Sequence, residues 1–355
     1  MLRGVCIRLI GNKKREKLEI SKIKRIYIPG GRIGDVVVKT PMLEALSKMN
    51  NDVKIDIGIA RGVKSLVETI PYINEIIEAD KNESKTKIVK IWKQMKFAIK
   101  NRGKYDLYFD FTNNPRFLHL LSLKILSPRY IVGCHRAEKF GIKKDELTLF
   151  DKYVDVKKDS HATDINMDFI KGFDIDISDK KYKLYLGSDE NRFENHFDRS
   201  YVNVILNYKG SSEGRTLKPE ELEYFIANLP TIDKKIKLHI MSIPSEYEKV
   251  EKILKKLNVE RVELLPKTEK ISEAAGLIKY CDMFISVDTG VVHIASVYDK
   301  PILGIYPMEE KNFKLFEPRS SKYEIVRGKE EGNNIRGFSL EESLEKFSKL
   351  YRERE

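Results

Sequence analysis

Met283-Phe-Ile-Ser-Val287, Asp288-Thr289-Gly290, Val291-Val-His293-Ile-Ala-Ser-Val-Tyr298 and, after Asp299, Lys300-Pro301-Ile-Leu-Gly304-Ile-Tyr-Pro307 follow one another along the chain. The first run is short, apolar and rich in β-branched and aromatic residues, which reads as a buried strand. It stops at a turn, one or two amphipathic helical turns follow, and Pro301 opens a second apolar run. This is a strand–loop–helix–strand unit with its loop at the carboxyl end of the first strand, the place where open α/β sheets bind ligands. Free N–H groups and the positive dipole end at a helix start suit a phosphate there. Asp and Thr also serve as plain helix caps, so the turn alone does not decide its use.

A second unit near the N-terminus has the same grammar. Arg25-Ile-Tyr-Ile-Pro29 reads as a strand, Gly30-Gly31-Arg32-Ile33-Gly34-Asp35 as a glycine-rich loop, and Val36 to Leu46 as a helix. Val38, Met42, Ala45 and Met49 fall at helical spacing and should face a core. Pro41 lies too deep for the first helical position, so a kink or restart is expected there. The glycine spacing is not that of the dinucleotide fingerprint, and no acidic residue closes the next strand at the usual distance.

The chain has 355 residues, which points to two domains rather than one. Hydrophobic residues at 41% and charged residues at 34% describe a globular chain, and no apolar run approaches membrane-spanning length. The opening ten residues are too short and too charged for a secretory signal. Cys6, Cys134 and Cys281 lie far apart, which argues against a disulfide framework and a zinc site and fits a reducing cytoplasm. The net charge is +12, an excess that nucleic acid, an acidic membrane surface or a phosphorylated substrate would each explain. Most lysines, as in Lys81 to Lys90, are spread as on a solvated face. No basic stripe with interleaved aromatics appears, so no nucleic-acid partner is expected. Arg3, Arg8, Lys13, Lys14, Arg15 and Lys17 among Leu2, Ile7, Leu9 and Ile10 suit either anionic headgroups on the cytoplasmic face of the inner membrane or a basic tail.

Further strands are read at Val53–Ala60, Tyr105–Asp110, Arg129–Gly133, Tyr201–Leu206, Ile236–Met241, Arg261–Leu265 and Ile302–Tyr306. Helices fill the gaps, among them Val63–Thr69, Trp92–Lys100, Arg116–Leu126, Asp164–Lys171, Pro219–Asn228, Ser245–Leu257 and Ser272–Tyr280. Ser339-Leu-Glu-Glu342 is a capping box opening the last helix. Alternation of strands and helices implies parallel, doubly wound sheets. The stretch from Asp151 to Phe197 is charged and poorly periodic, which puts the boundary near residue 195. Two Rossmann-like domains, 1–195 and 196–355, facing across a cleft, are the expected α/β architecture.

Four motifs in order resemble glycosyltransferase family nine, the heptosyltransferases of lipopolysaccharide assembly. They are Gly34-Asp35 with Thr40-Pro41, Tyr105-Asp106 with Asp110, Gly210-Ser211-Ser212 with Arg215, Leu217 and Glu220, and Asp288-Thr289-Gly290 with His293, Ala295 and Lys300-Pro301. The resemblance implies the GT-B fold, an N-terminal acceptor side and a C-terminal nucleotide-sugar side. It also implies inverting transfer of a sugar, heptose from ADP-heptose, to a glycolipid such as the lipopolysaccharide core, with no cofactor and no metal. Where many members carry Lys-x-Trp, this chain has Arg215-Thr-Leu217, and an Arg also binds phosphate.

Carried onto these positions, Asp35 is the base for the acceptor hydroxyl, its alternative role being a helix cap. Arg215, with Gly210, Ser211 and Ser212, offsets charge on the leaving diphosphate, or is a surface loop cation. Thr289 and Gly290 hold the diphosphate, and Asp288 orients the loop or touches the ribose. His293 is a phosphate neighbour or a core histidine, and Glu246 a ribose ligand or a first-turn helix acid. Arg32, Lys39, Arg61 and Arg116 are partners for a phosphorylated acceptor or solvated charges. A UDP- or GDP-hexose donor is the first alternative. A catalytically inactive nucleotide-sugar-binding protein is the second, against which Asp35, Arg215 and Asp288 stand together.

Overall fold

A computed structural model describes residues 7–354 except 9, 15–16, 80–86, 115, 135–142, 144–145 and 158. By internal contacts the chain forms two units. One comprises Met1–Arg32 and Lys39–Lys180, the other Ile33–Val38 and Lys181–Glu355. The division falls at residue 180, where the charge pattern pointed to 195. The reason lies in the contacts of the intervening segment. Asp189 accepts from Ser272 at 2.7 Å, Arg192 pairs with Glu273, and a Cβ added at Gly276 would lie 2.7 Å from the Asp189 carbonyl.

In the first unit, β1 (Arg25–Gly31), β2 (Lys54–Ile59), β3 (Ile73–Glu78), β4 (Leu107–Asp110), β5 (Tyr130–Gly133) and β6 (Lys152–Tyr153) form one sheet in the order β3-β2-β1-β4-β5-β6. All its pairs are parallel. Gly31 ends β1 at φ +96°, a turn that a side chain would strain. After α1 (Ile33–Val37), a turn at 38–39 precedes α2 (Thr40–Ser47), whose second residue is Pro41, so the proline restarts the helix as its missing N–H allows. The helices α3 (Lys87–Lys100), α4 (Phe117–Leu126) and α5 (Ala162–Ile170) complete the unit. An aromatic cluster fills part of its core, with the Tyr27 ring 5.2 Å from Tyr105 and 5.3 Å from Tyr108. The N-terminal basic residues divide. Ile7 is buried, Arg8 pairs with Glu146 at 3.2 Å and Lys13 with Asp151 at 2.5 Å, whereas Lys14 and Lys17 are exposed. Leu2, Arg3, Leu9 and Arg15 lie outside the described residues, as do most of Lys81–Lys90.

The second unit repeats the topology. β7 (Val202–Asn207), β8 (Ile236–Met241), β9 (Val262–Leu264), β10 (Met283–Val287), β11 (Ile302–Tyr306) and β12 (Tyr323–Arg327) lie in the order β12-β11-β10-β7-β8-β9, again all parallel. β10 and β11 are fully buried, as befits parallel strands covered on both faces. The helices are α6 (Pro219–Ile232), α7 (Tyr247–Leu257), α8 (Ile271–Tyr280), α9 (Val291–Val297), α10 (Glu310–Leu315) and α11 (Leu340–Arg352). Ser339 Oγ accepts from Glu342 N–H at 3.1 Å and caps α11. Among the described residues no helix is long and apolar enough to cross a membrane.

α1 belongs to the second unit because it packs on α9 through two glycines. A Cβ at Gly290 would lie 2.7 Å from Gly34 N, and one at Gly34 would lie 3.0 Å from His293 Cδ2. Backbone cannot give way as a flexible side chain can. Gly290→Ala is therefore expected to cost roughly 1–3 kcal/mol as overpacking, read as a lower Tm. An unchanged Tm would show that the approach is not close.

Candidate functional site

β7 leads to β8 on one side of its sheet, and β10 leads to β11 on the other. Their connections therefore run apart, and a crevice opens at the two carboxyl ends. Hydrogen bonds fix both strand ends, one through a side chain and one through backbone. Asn207 Nδ2 donates to Ser286 Oγ at 2.9 Å and to Lys209 O at 3.2 Å, and Asp288 N–H donates to Ile305 O at 2.9 Å.

Beyond β7 the chain tightens into a short turn, Glu213–Arg215. A Cβ at Gly210 would sit 2.3 Å from the Arg215 carbonyl, so only glycine lets the loop fold back. Thr216 Oγ1 donates to Ser212 O at 2.9 Å, and Arg336 donates to Thr216 O at 3.1 Å and Glu213 O at 2.7 Å. Arg215 thus leaves a braced turn. Its Nη1 reaches Asp288 Oδ2 at 3.0 Å, its Nε donates to Asn333 Oδ1 at 3.0 Å, and its Nη2 donates to the same oxygen. The side chains of Arg215 and Asp288 are only 15% and 10% exposed, so the pair is weakly screened and both partners are positioned. Burial raises the Asp288 carboxyl from its ordinary value, while Arg215 and Arg327 pull it the other way.

A cavity of about 490 Å³ opens beside the turn. Lys209, Ser211, Ser212, Lys218, Glu246 and Lys249 are among the residues on its wall. Its size suits a nucleotide-sized ligand and its lysines suit an anion. Lys209 Nζ lies 2.7 Å from Glu246 Oε1 and holds that carboxyl below its ordinary value. Glu246 ends a short turn immediately before α7.

Thr289 and Gly290 lie between β10 and α9, half-buried. His293 is buried, its ring meeting Tyr182 and Phe316 edge-on at 6.3 and 6.0 Å. Asp35 lies in the first turn of α1, one residue past the Gly34–Gly290 contact. It is therefore inside the helix, not at its cap. The second unit thus gathers Asp35, Arg215, Asp288, Thr289, Gly290 and His293. The first-unit residues divide. Lys39 is buried, its Nζ donating to Gly30 O at 3.2 Å and lying 4.8 Å from the Phe111 ring centre, whereas Arg32, Arg61 and Arg116 are exposed.

Sequence reading passed over Lys209, Asn333 and Arg336, which sit in loops without a motif. It also passed over a pair in the first unit. His119 Nε2 meets the buried Asp110 Oδ2 at 2.9 Å, with Gln94 Nε2 3.0 Å from His119 Nδ1.

The sequence profile of glycosyltransferase family 9 (heptosyltransferase) matches residues 145–346, more than half of the chain. The chain belongs to that family. The motif around Gly34 lies outside the matched stretch. The chain is similar, at 27% identity over 57% of its length, to a protein of Escherichia coli (strain K12) assigned provisionally as lipopolysaccharide heptosyltransferase 4. That match spans about half (54%) of the relative. It is also 22% identical to the lipopolysaccharide core heptosyltransferase OpsX of Haemophilus influenzae, covering 84% of each chain. Among solved structures, the E. coli ADP-heptose lps heptosyltransferase II superposes with a TM-score of 0.67 at 16% identity, covering 93% of this chain and 99% of that one. That likeness shows the fold, the GT-B type with two doubly wound α/β units.

With its pKa raised, Asp288 favours the folded state below the ordinary carboxylate value, and that contribution is lost as pH rises through the raised one. An Asp288→Asn variant lacks this loss. Its Tm relative to the wild type should therefore climb between pH 4 and pH 8; a gap that stays constant or narrows contradicts the assignment.

Proposed function

We propose that this chain is an inverting glycosyltransferase that moves heptose from ADP-heptose onto a lipopolysaccharide-core or similar glycolipid acceptor. Family membership supports the reaction class. The observation that carries the donor side is Arg215, held by Asp288 and Asn333 beside a lysine-lined cavity. The solved relative named as an ADP-heptose transferase supports the choice of nucleotide.

In this reading the acceptor hydroxyl gives its proton to the Asp35 carboxylate as its oxygen attacks the anomeric carbon. The bond from that carbon to the diphosphate breaks on the opposite face, so configuration inverts and the nucleoside diphosphate leaves. Charge grows on the departing oxygens, and Arg215 is placed to meet it with two N–H groups. Gly210, Ser211 and Ser212 line the approach to the phosphates, and Thr289 and Gly290 approach them from the β10 side. Asp288 keeps the guanidinium oriented before the donor arrives, which lowers the ordering cost of binding. Glu246, fixed by Lys209, is the ribose partner. The buried, aromatic-packed His293 supports the Gly34–Gly290 contact and so places Asp35. Arg32, Arg61 and Arg116 remain the exposed cations for a phosphorylated acceptor. Lys39, engaged with Gly30 and Phe111, shapes that side from within. The metal-free character of the transfer belongs to the same proposal. A lipid-linked acceptor brings the enzyme to a membrane surface, with Lys14 and Lys17 as exposed N-terminal cations.

Calorimetric titration with ADP, UDP and GDP tests the donor side. ADP is expected to bind most tightly. Arg215→Ala should weaken it by about tenfold or more, the scale of one or two charge-assisted hydrogen bonds. Tighter binding of UDP or GDP would instead support a hexosyl donor, and no binding an inactive protein. Asp35→Asn should leave a folded protein that binds ADP and loses about 10²–10⁴-fold in turnover; near-normal turnover would remove Asp35 as the base.

A further inference from the structure

Toward the β9 edge of the second unit's sheet, at mid-strand, three side chains converge. His239 on β8 and Glu263 on β9 are register partners on adjacent strands, and His196 comes from the segment before β7. One ligand-type atom from each, a ring nitrogen or a carboxylate oxygen, lies within 4.8 Å of the others.

The hydrogen bonds around them dictate which atoms carry protons. Asn203 Nδ2 donates to Asp198 O at 3.0 Å, Tyr201 O at 3.2 Å and Asp282 Oδ2 at 3.4 Å. Turning the amide over would aim its oxygen at three acceptors, so Oδ1 faces His239 Nε2, at 2.9 Å. His239 must therefore carry its proton on Nε2, and Nδ1 presents a lone pair. That lone pair lies 2.9 Å from Glu263 Oε1, itself an acceptor. His196 Nε2 is buried, and neither it nor His239 Nδ1 makes a well-aligned hydrogen bond among the described residues, although Nδ1 and Glu263 Oε1 are at ion-pair distance. A ring lone pair and a carboxylate oxygen thus face each other at 2.9 Å with His196 beside them, an arrangement that costs energy unless something positive enters. A second proton on His239 would meet only Glu263, at 2.9 Å, whereas an ion would serve all three side chains at once.

We propose that His196 Nε2, His239 Nδ1 and Glu263 Oε1 bind a divalent transition-metal ion, Zn²⁺ by donor set, as a structural site. Two imidazoles and a carboxylate are a common zinc set, with water in the fourth position. Zinc bonds of about 2.0–2.2 Å place tetrahedral neighbours roughly 3.4 Å apart. The 2.9 Å approach must therefore open by a few tenths of an ångström and separations of up to 4.8 Å must close toward that value, movements that fall to the half-exposed Glu263 at the sheet edge and to His196 in its loop. The outer contacts are those a metal site needs: Asn203 orients His239, and Lys237 Nζ, 2.8 Å from Glu263 Oε2, leaves Oε1 to the metal. Lys237 also shares the carboxylate charge, so affinity falls below that of an isolated set. The ion would fasten the segment at His196, where Phe197 packs 4.9 Å from the His239 ring, to the edge of the sheet. It takes no part in sugar transfer, and the site stands whether or not that reading holds.

The test uses the untagged full-length protein, stripped with chelator and titrated with Zn²⁺ alone. One zinc per chain retained through gel filtration and a raised Tm are expected, with Co²⁺ giving the intense visible bands of tetrahedral coordination. Glu263→Gln, at a half-exposed position, and His196→Gln should each weaken zinc at least tenfold, with circular dichroism unchanged. Should a variant fail to fold, the cobalt spectrum of the wild type decides. Loss of zinc on gel filtration, an octahedral cobalt spectrum, or equal affinity in folded variants overturns the site.

Discussion

The geometry proposed for sugar transfer depends on one constraint, the entry of β10 into a parallel sheet between β7 and β11. Because the connections from β7 and β10 leave in opposite directions, neither covers the carboxyl ends of these strands. Asp288 emerges there buried and tied to β11, and Arg215 reaches it from a turn that only a glycine at 210 allows. An ion pair so placed is poor evidence of a gain in stability, since removing two charges from water costs about as much as their attraction returns. The raised Asp288 carboxyl says the same, for burial outweighs the guanidinium's pull.

The second constraint is a close backbone approach. Gly34 and Gly290 carry no side chains, and α1 settles on α9 closely enough that six residues from the N-terminal half of the sequence count with the second unit. Asp35 follows directly in the same helical turn, so the packing of the two glycines helps to set its place. His293, ringed by Tyr182 and Phe316, gives the contact a rigid floor. By burial His293 is a core residue, and the proposed transfer adds a positioning role to it.

Sequence periodicity made most strands and helices legible, because buried parallel strands are apolar runs bounded by turn residues. β10 and β11 lie at Met283–Val287 and Ile302–Tyr306, where that pattern places them, and the restart at Pro41 follows from proline's missing N–H. β3 and β12 escaped because they are sheet edges with mixed, half-exposed sequences, and α10 because it buries none of its residues. Arg215 and Asp288 could be named from motifs, but not their pairing, which joins positions far apart in sequence. Asn333 and Lys209 carry no local signal at all. Counting cysteines argued against a zinc site, and that argument has no bearing on His196, His239 and Glu263, whose meeting is a matter of strand register and a long connection.

The central claim is transfer of heptose from ADP-heptose, and direct assay of that reaction tests it best. The purified chain is incubated with ADP-heptose and a heptose-deficient lipopolysaccharide core, and the glycolipid is followed by mass spectrometry alongside released ADP. The account predicts one heptosyl group gained per ADP released, joined with inverted configuration at the anomeric carbon. An unmodified acceptor with ADP-heptose, together with transfer from a UDP- or GDP-hexose, would contradict it.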